Sequence, residues 1–226
     1  MKYLFNGILV IFIVVMSNCN SERNKKDDWC QSVVQITANY IYTYQLSDNI
    51  EYLDSALALT NKALESCPEL SMLMKSRKID ILTKKQDFAE AISFIESFET
   101  PYIDGLNYYN DYLLKRFAAM QHQIDGDISQ RDDSLRSILE MLEKVTQENK
   151  IALDTLIVHD DVDELLENTF SIPYVQYYYI KSVLLGIDVV KNELDSLNQA
   201  TDINEEFLDF LYQYSSDNDI MNFSGL

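Results

Sequence analysis

The feature that most constrains this chain is the scarcity of residues that interrupt helices. Five glycines and three prolines occur among its 226 residues. Sheets joined by tight turns need more of both, because these residues supply the backbone conformations of short turns. Long segments instead repeat apolar residues every three or four positions, the period of a helix with one buried face. The sequence therefore predicts an all-α fold.

The predicted helices form antiparallel pairs joined by polar turns. Pro68 and Pro101 each end a helix, since proline disfavours the helical conformation in the residue before it. Ile36 and Leu73 are among the residues expected to face inward. The predicted pairs are residues 29–44 with 50–66, 70–84 with 88–98, 106–124 with 135–145, and 174–197 with 205–214. Residues 129–134 are predicted to be an insertion, and residues 215–226 a frayed tail.

Two of these hairpins, between residues 37 and 103, resemble tetratricopeptide repeats. That family places small residues where its paired helices approach closely, and a proline after the second helix. The matching positions are Tyr40, Leu53, Ala56, Ala63 and Pro68 in the first hairpin, and Phe88, Ala91 and Ile95 in the second. Tyr44 and Ile79 stand where the family has a glycine. The resemblance implies an α-solenoid of three to four helix pairs over residues 29–214, which would bind a protein or peptide on its concave face.

The N-terminus has the pattern of an export signal. Lys2 precedes the apolar run Ile8–Met16, whose nine residues suit a signal peptide. A membrane-spanning helix needs about 20 apolar residues. Residues 16–19 (Met-Ser-Asn-Cys) resemble the lipobox of bacterial lipoproteins, which implies cleavage after residue 18 and lipidation of Cys19. Asn18 departs from the family pattern, which has a smaller residue there.

The resemblance to lipoproteins implies where the protein is found. Residues 19–28 would be a flexible tether, and their Lys25–Asp28 stretch resembles a surface-export signal of some Bacteroidetes lipoproteins. We therefore expect attachment to the outer membrane, on its periplasmic side or at the cell surface. A secreted protein and an uncleaved N-terminal anchor are the alternatives.

Two cysteines remain if Cys19 is lipidated. An even number of cysteines in an exported protein is typical of disulfide bonding. A hairpin that turns near residue 48 places Cys30 opposite residue 66, beside Cys67. The sequence therefore predicts a Cys30–Cys67 disulfide, and two separate thiols are the alternative.

The charge limits the classes of partner. After position 19 the chain contains 17 basic and 37 acidic residues, a net charge of −20. Such a surface repels the phosphates of nucleic acids, and it favours basic protein partners. A solvated acidic surface without any partner is the alternative.

Fifteen tyrosines give the most distinctive candidate surface. Their rings pack against apolar ligands while their hydroxyls stay hydrated. At helical spacing a run of tyrosines spreads over several faces, so some rings should reach solvent and contact a peptide or glycan. The alternative is that these rings form part of the core. The candidate surface comprises Tyr108, Tyr112, Tyr174, Tyr177 and Tyr178.

No catalytic motif is present in the sequence. Phosphate loops, nucleophile elbows and dinucleotide fingerprints are absent. His159 lies among acidic residues without the ligand set of a zinc site. Residues 125–136 begin like a calcium loop but have Gln130 and Arg136 where glycine and glutamate are required. We therefore predict a non-enzymatic protein without metal or cofactor.

Three binding functions fit this sequence. The leading hypothesis is an envelope lipoprotein that binds a protein or peptide. The first alternative is an immunity-type lipoprotein that neutralises a basic toxin, since opposite charge accelerates association. The second alternative is an accessory glycan-binding lipoprotein of the cell surface.

Overall fold

The computed structural model describes residues 28–103, 105–148, 171–200, 205–216 and 219–221. In this part of the chain the regular structure is helical and no strand occurs, which confirms the all-α prediction. The helices are α1 (residues 28–47), α2 (Ile50–Ser66), a 3₁₀ turn (Pro68–Leu70), α3 (Ser71–Lys84), α4 (Phe88–Glu96), α5 (Tyr109–Asp125), α6 (Ile128–Glu148), α7 (Ile172–Leu185), α8 (Ile187–Ala200) and α9 (Glu205–Ser216).

The chain divides into two compact units, Met1–Gln86 and Asp87–Leu226. The predicted single domain, residues 29–214, therefore spans both units. The boundary falls inside the second predicted hairpin, so that α3 belongs to the first unit and α4 to the second.

The first unit packs α1, α2 and α3 around two apolar clusters. Val33, Ala63 and Met74 form one cluster, and Leu53, Ala56 and Ile81 form the other. The predicted small residues Ala56 and Ala63 are buried where the helices meet. Arg77 on α3 donates hydrogen bonds to the Val34 carbonyl at 2.6 Å and to the Thr37 hydroxyl on α1.

Two predicted inward positions in this unit are wrong. Ile36 is 41 % exposed and Leu73 is 43 % exposed. The buried stripe of α1 runs through Cys30, Val33 and Thr37, and Ile36 lies on the neighbouring face. On α3 the core position is taken by Met74, one residue after Leu73.

The second unit is a series of helices in which α5 packs on α4, α6 on α5, and α7 on α6. The helices α7, α8 and α9 then pack on one another around a shared apolar cluster. The cluster consists of Val175, Tyr178, Val190, Leu194, Phe207, Leu208 and Leu211.

Helix α6 is longer than predicted. Its core residues Leu135, Ile138 and Leu142 are buried as expected, but the helix begins at Ile128. The backbone N–H of Gln130 donates to the Asp127 carboxylate at 3.1 Å, which satisfies a free amide of the first turn. The predicted insertion over residues 129–134 is therefore wrong.

The predicted helix over residues 174–197 is interrupted. Gly186 has φ +93°, a conformation that only glycine adopts readily, and it separates α7 from α8. This break lets α8 fold back on α7 instead of continuing its axis.

Two described residues of the segment predicted to fray are buried. The Ser215 side chain is buried within α9, and Ile220 is 2 % exposed. The Tyr179 hydroxyl donates to the Asp219 carbonyl at 2.9 Å. For these described residues the prediction of a frayed tail is wrong.

Several predictions fall outside the described residues. The signal peptide, Cys19 and the tether up to residue 27 are among them, as is His159. Asp28, the last residue of the predicted tether, already belongs to α1. Within the described residues, no helix combines the length and apolar character that crossing a bilayer requires.

Candidate binding surface

The predicted cysteine pair closes the first hairpin. The Cys30 and Cys67 Sγ atoms lie 1.96 Å apart, and their Cα atoms 5.9 Å apart. The bond joins the beginning of α1 to the residue that follows α2, as the hairpin model predicts. Both side chains are buried, at 3 % and 0 % exposure, so the disulfide has a structural position and is shielded from solvent.

The Glu69 carboxylate lies near the two sulfurs. The ligand atoms of Cys30, Cys67 and Glu69 all lie within 4.8 Å of one another. The sulfurs are bonded to each other and therefore cannot act as thiolate ligands. Of these three residues, the exposed Glu69 carboxylate is therefore the one that could bind a metal.

Two of the five predicted surface tyrosines are buried. Tyr112 is 0 % exposed and Tyr178 is 7 % exposed. Tyr112 lies on α5, which packs against both α4 and α6, and its ring is next to that of Tyr109. Tyr178 belongs to the cluster shared by α7, α8 and α9. Neither ring can contact a ligand in this conformation, which corrects the prediction for both.

Two further tyrosines are half-buried and link elements within the second unit. The Tyr108 hydroxyl donates to the Gln176 Oε1 on α7 at 3.1 Å. The Tyr174 hydroxyl donates to the Thr146 carbonyl in the last turn of α6 at 2.9 Å. Their hydroxyls therefore stabilise helix packing.

A buried polar cluster surrounds Tyr112. The Tyr109 and Tyr112 rings lie 5.7 Å apart, and Arg116 is buried one turn further along α5. Burial raises the pKa of Tyr112 to about 12, and the Arg116 guanidinium acts in the opposite direction. Burial likewise raises the pKa of Tyr109 and of Tyr108 above the ordinary tyrosine value. Burial therefore favours the protonated form of all three hydroxyls.

Tyr177, the fifth predicted surface tyrosine, already has a cation on its ring. The Lys181 ammonium lies 4.9 Å from the ring centroid and donates to the Tyr177 hydroxyl at 3.0 Å. The same ammonium forms an ion pair with Glu193 on α8. Burial lowers the pKa of Lys181, but the bonds to Glu193 and Tyr177 outweigh burial and leave the pKa raised. This ring face is occupied by the protein itself.

A second tyrosine and carboxylate arrangement occurs between α8 and α9, which the sequence did not single out. The Tyr212 hydroxyl donates to the Asp195 carboxylate at 2.5 Å. Asp209 lies three residues before Tyr212 on α9, on the neighbouring part of the same helix surface. Partial burial, the hydrogen bond to Asp195 and the charges of both carboxylates raise the pKa of Tyr212 to about 12.

The acidity of the chain is concentrated in one unit. Met1–Gln86 contains ten basic and nine acidic residues, a net charge of +1. Asp87–Leu226 contains eight basic and 28 acidic residues, a net charge of −20. The net charge of the whole chain does not show this difference. The unit boundary was not predicted from the sequence, because it lies within a predicted hairpin.

The chain was also compared with known proteins. No family model, curated protein or solved structure matches it.

Proposed function

We propose that this protein is a non-enzymatic binding protein of the bacterial envelope, with a basic protein or peptide as its partner. The observation that carries the proposal is the net charge of −20 on the second unit. A charge of this size attracts a basic partner over distances of about a Debye length and accelerates encounter. The nearly neutral first unit contributes little to this attraction.

The disulfide supports an exported location. Disulfides persist in secreted and periplasmic proteins and are rare in the reducing cytosol. The export pattern at the N-terminus agrees with this. We therefore retain lipidation at Cys19, and attachment to the outer membrane, as part of the proposal.

The tetratricopeptide-like solenoid is also retained as a proposal. Consecutive described helices pack on each other in the second unit, and the small residues Ala56, Ala63 and Ala91 are buried. Tight approach of neighbouring helices at small residues is what the resemblance implies. A helical array offers an extended surface for another chain.

Neutralisation of a basic toxin is the second candidate, favoured by the same charge. It differs from general peptide binding in requiring one tight partner. The glycan hypothesis has less support, because Tyr112 and Tyr178 are buried and the Tyr177 ring is covered by Lys181.

Capture from envelope extracts tests the binding function. The purified protein is immobilised, the extract is applied at low salt, and the bound proteins are eluted at high salt. We expect elution of a protein with net positive charge. One dominant partner that inhibits growth when expressed alone would favour toxin neutralisation. Retention of polysaccharide and no protein would overturn the proposal.

Membrane fractionation tests the anchor. A Cys19→Ala variant should lose its membrane attachment, because lipid attachment requires the thiol. An unchanged membrane fraction would remove lipidation from the proposal. Ser17→Ala, two residues away, serves as the control and should fractionate like the wild type.

A further inference from the structure

The end of the first unit at which α1 begins exposes apolar side chains. Met72 is 57 % exposed and Leu73 is 43 % exposed, and both lie in the first turn of α3. Trp29, the second residue of α1, is half-buried. We call Trp29, Met72 and Leu73 the α1–α3 patch. Because apolar surface gains free energy when it leaves water, this patch would gain from being covered.

Contacts within the first unit bring the two parts of the α1–α3 patch to the same end. The disulfide joins the beginning of α1 to the residue that precedes the 3₁₀ turn and α3. Leu70 and Met74, which flank Met72 and Leu73 in the sequence, pack in the same apolar cluster as Trp29. The patch is therefore held together by packing and by a covalent bond.

Charges of both signs lie around the patch. The Lys62 ammonium lies 4.9 Å from the centroid of the Trp29 ring, while Asp28 and Glu69 are exposed carboxylates. The first unit as a whole has a net charge of +1. Anionic lipids would strongly repel a unit of charge −20, but they would not repel this one. Apolar burial therefore decides what the patch contacts.

The chain that precedes α1 selects the occupant. In the proposed function Cys19 carries the lipid anchor, and residues 20–27 connect it to Asp28. Fully extended, this connection spans about 30 Å. It would keep the beginning of α1 close to the bilayer, and such tethering raises the effective concentration of the patch at the lipid surface. A few apolar side chains then suffice for contact.

We propose that the α1–α3 patch docks on the lipid surface that holds the anchor, with Met72 and Leu73 entering the interfacial region and Trp29 at the level of the head groups. This inference rests on the proposed anchor at Cys19 and adds how the first unit contacts the bilayer. Tryptophan is enriched at that level because its ring is apolar and its N–H is polar. The Lys62 ammonium can stay among the head groups while its stem covers the ring.

Quenching of Trp29 fluorescence by brominated lipid tests the inference, because Trp29 is the single tryptophan of the chain. The full chain, purified with its anchor, is reconstituted into phosphatidylcholine vesicles with or without bromine on the acyl chains. Bromine quenches only at short range. We expect the fluorescence of the wild type to fall about twofold in the brominated vesicles, as for a ring at the interface.

The test variant is Met72→Ser with Leu73→Ser, which keeps the anchor and Trp29. It should lose most of the quenching, because the apolar side chains that hold the patch on the lipid are gone. Both side chains are exposed, so the fold should be retained, and thermal unfolding checks this.

The control variant is Leu46→Ser with Ile50→Ser, at the other end of the first hairpin. It also removes two exposed apolar side chains, which are 71 % and 45 % exposed. Leu46 lies 17 residues from Trp29 along α1, a distance of about 25 Å. Its quenching should therefore match that of the wild type.

Co-sedimentation with the vesicles separates the patch from the anchor. Wild-type protein that co-sediments while Trp29 stays unquenched would overturn the docking and leave the anchor in place. Equal quenching of the wild type and the test variant would overturn the role of Met72 and Leu73, and so would an equal loss in both double variants. Failure of the wild type to co-sediment would overturn the anchor, and the docking with it.

Discussion

Tyrosine residues in the second unit act mainly as links between helices. Tyr108, Tyr174 and Tyr179 each donate a hydrogen bond to a residue at least 28 positions away. Such bonds satisfy polar groups that burial would otherwise leave without partners. Helical spacing indicated that the tyrosines would cover several faces. It could not show which faces neighbouring helices would bury, because this depends on how α4 and α6 pack on α5 and on how α8 and α9 pack on α7.

Tyrosine ionisation gives a prediction at this scale. Six tyrosines have raised pKa values in the folded protein: Tyr108, Tyr109, Tyr112, Tyr178, Tyr212 and Tyr214. In the unfolded chain they ionise near pH 10. Unfolding therefore releases protons above about pH 10, so the free energy of unfolding is unaffected below that value and falls as pH rises towards about 12.

Urea unfolding at increasing pH, followed by tyrosinate absorbance, measures this effect. A group of tyrosines should ionise together with the loss of helical circular dichroism. Ionisation of every tyrosine near pH 10 with the helices intact would contradict the prediction.

The residue that follows α1 gives a second prediction. Asp48 has φ +53°, a left-handed conformation that is strained for residues other than glycine. Asp48→Gly should therefore raise the free energy of unfolding by about 0.5–1 kcal/mol. Ser47→Gly changes the last residue of α1 and should destabilise by a similar amount. Chemical denaturation measures the free energy of unfolding of both variants. Destabilisation by both substitutions would show that the backbone of Asp48 is not strained.

Single helices and hairpins were the scale at which prediction from sequence worked best. The bounds of α2, residues 50–66, were predicted correctly because Asn49 accepts from the Glu51 amide at the beginning and Pro68 follows the end. The start of α6 was missed, although Gly126 and Asp127 together form a helix end followed by a helix cap. Gly186 alone did not predict the break after α7, because glycine inside a helix costs only about 1 kcal/mol and packing decides the outcome.

The first hairpin gives a prediction for the disulfide. Cys30 and Cys67 are 37 residues apart, so their bond removes about 3–4 kcal/mol of chain entropy from the unfolded state. Cys30→Ser with Cys67→Ser should destabilise the first unit by about that amount. Trp29, the single tryptophan, lies next to Cys30 and allows its fluorescence to follow this unit.

Ten of the fifteen tyrosines lie in the second unit, so near-ultraviolet circular dichroism of the tyrosines follows mainly that unit and serves as its control. The double variant should shift the tryptophan transition much more than the signal of the second unit. Equal stability of the variant and the oxidised wild type would contradict a stabilising role for the bond.

At the scale of the whole molecule, the main property is the separation of charge between two units. Because the net charges are +1 and −20, we propose that Asp87–Leu226 is the unit that attracts a basic partner. The sequence predicted the class of partner from total charge. It could not show that Asp195 and Tyr212 meet, because these residues come together only through the packing of α8 on α9.

The ionic-strength dependence of association tests the central claim most directly. The protein captured from envelope extracts is mixed with this protein, and both rate constants are measured over a series of salt concentrations. The account predicts that the association rate falls steeply with salt while the dissociation rate changes little, because long-range charge attraction governs encounter. An association rate that is independent of salt would contradict the account.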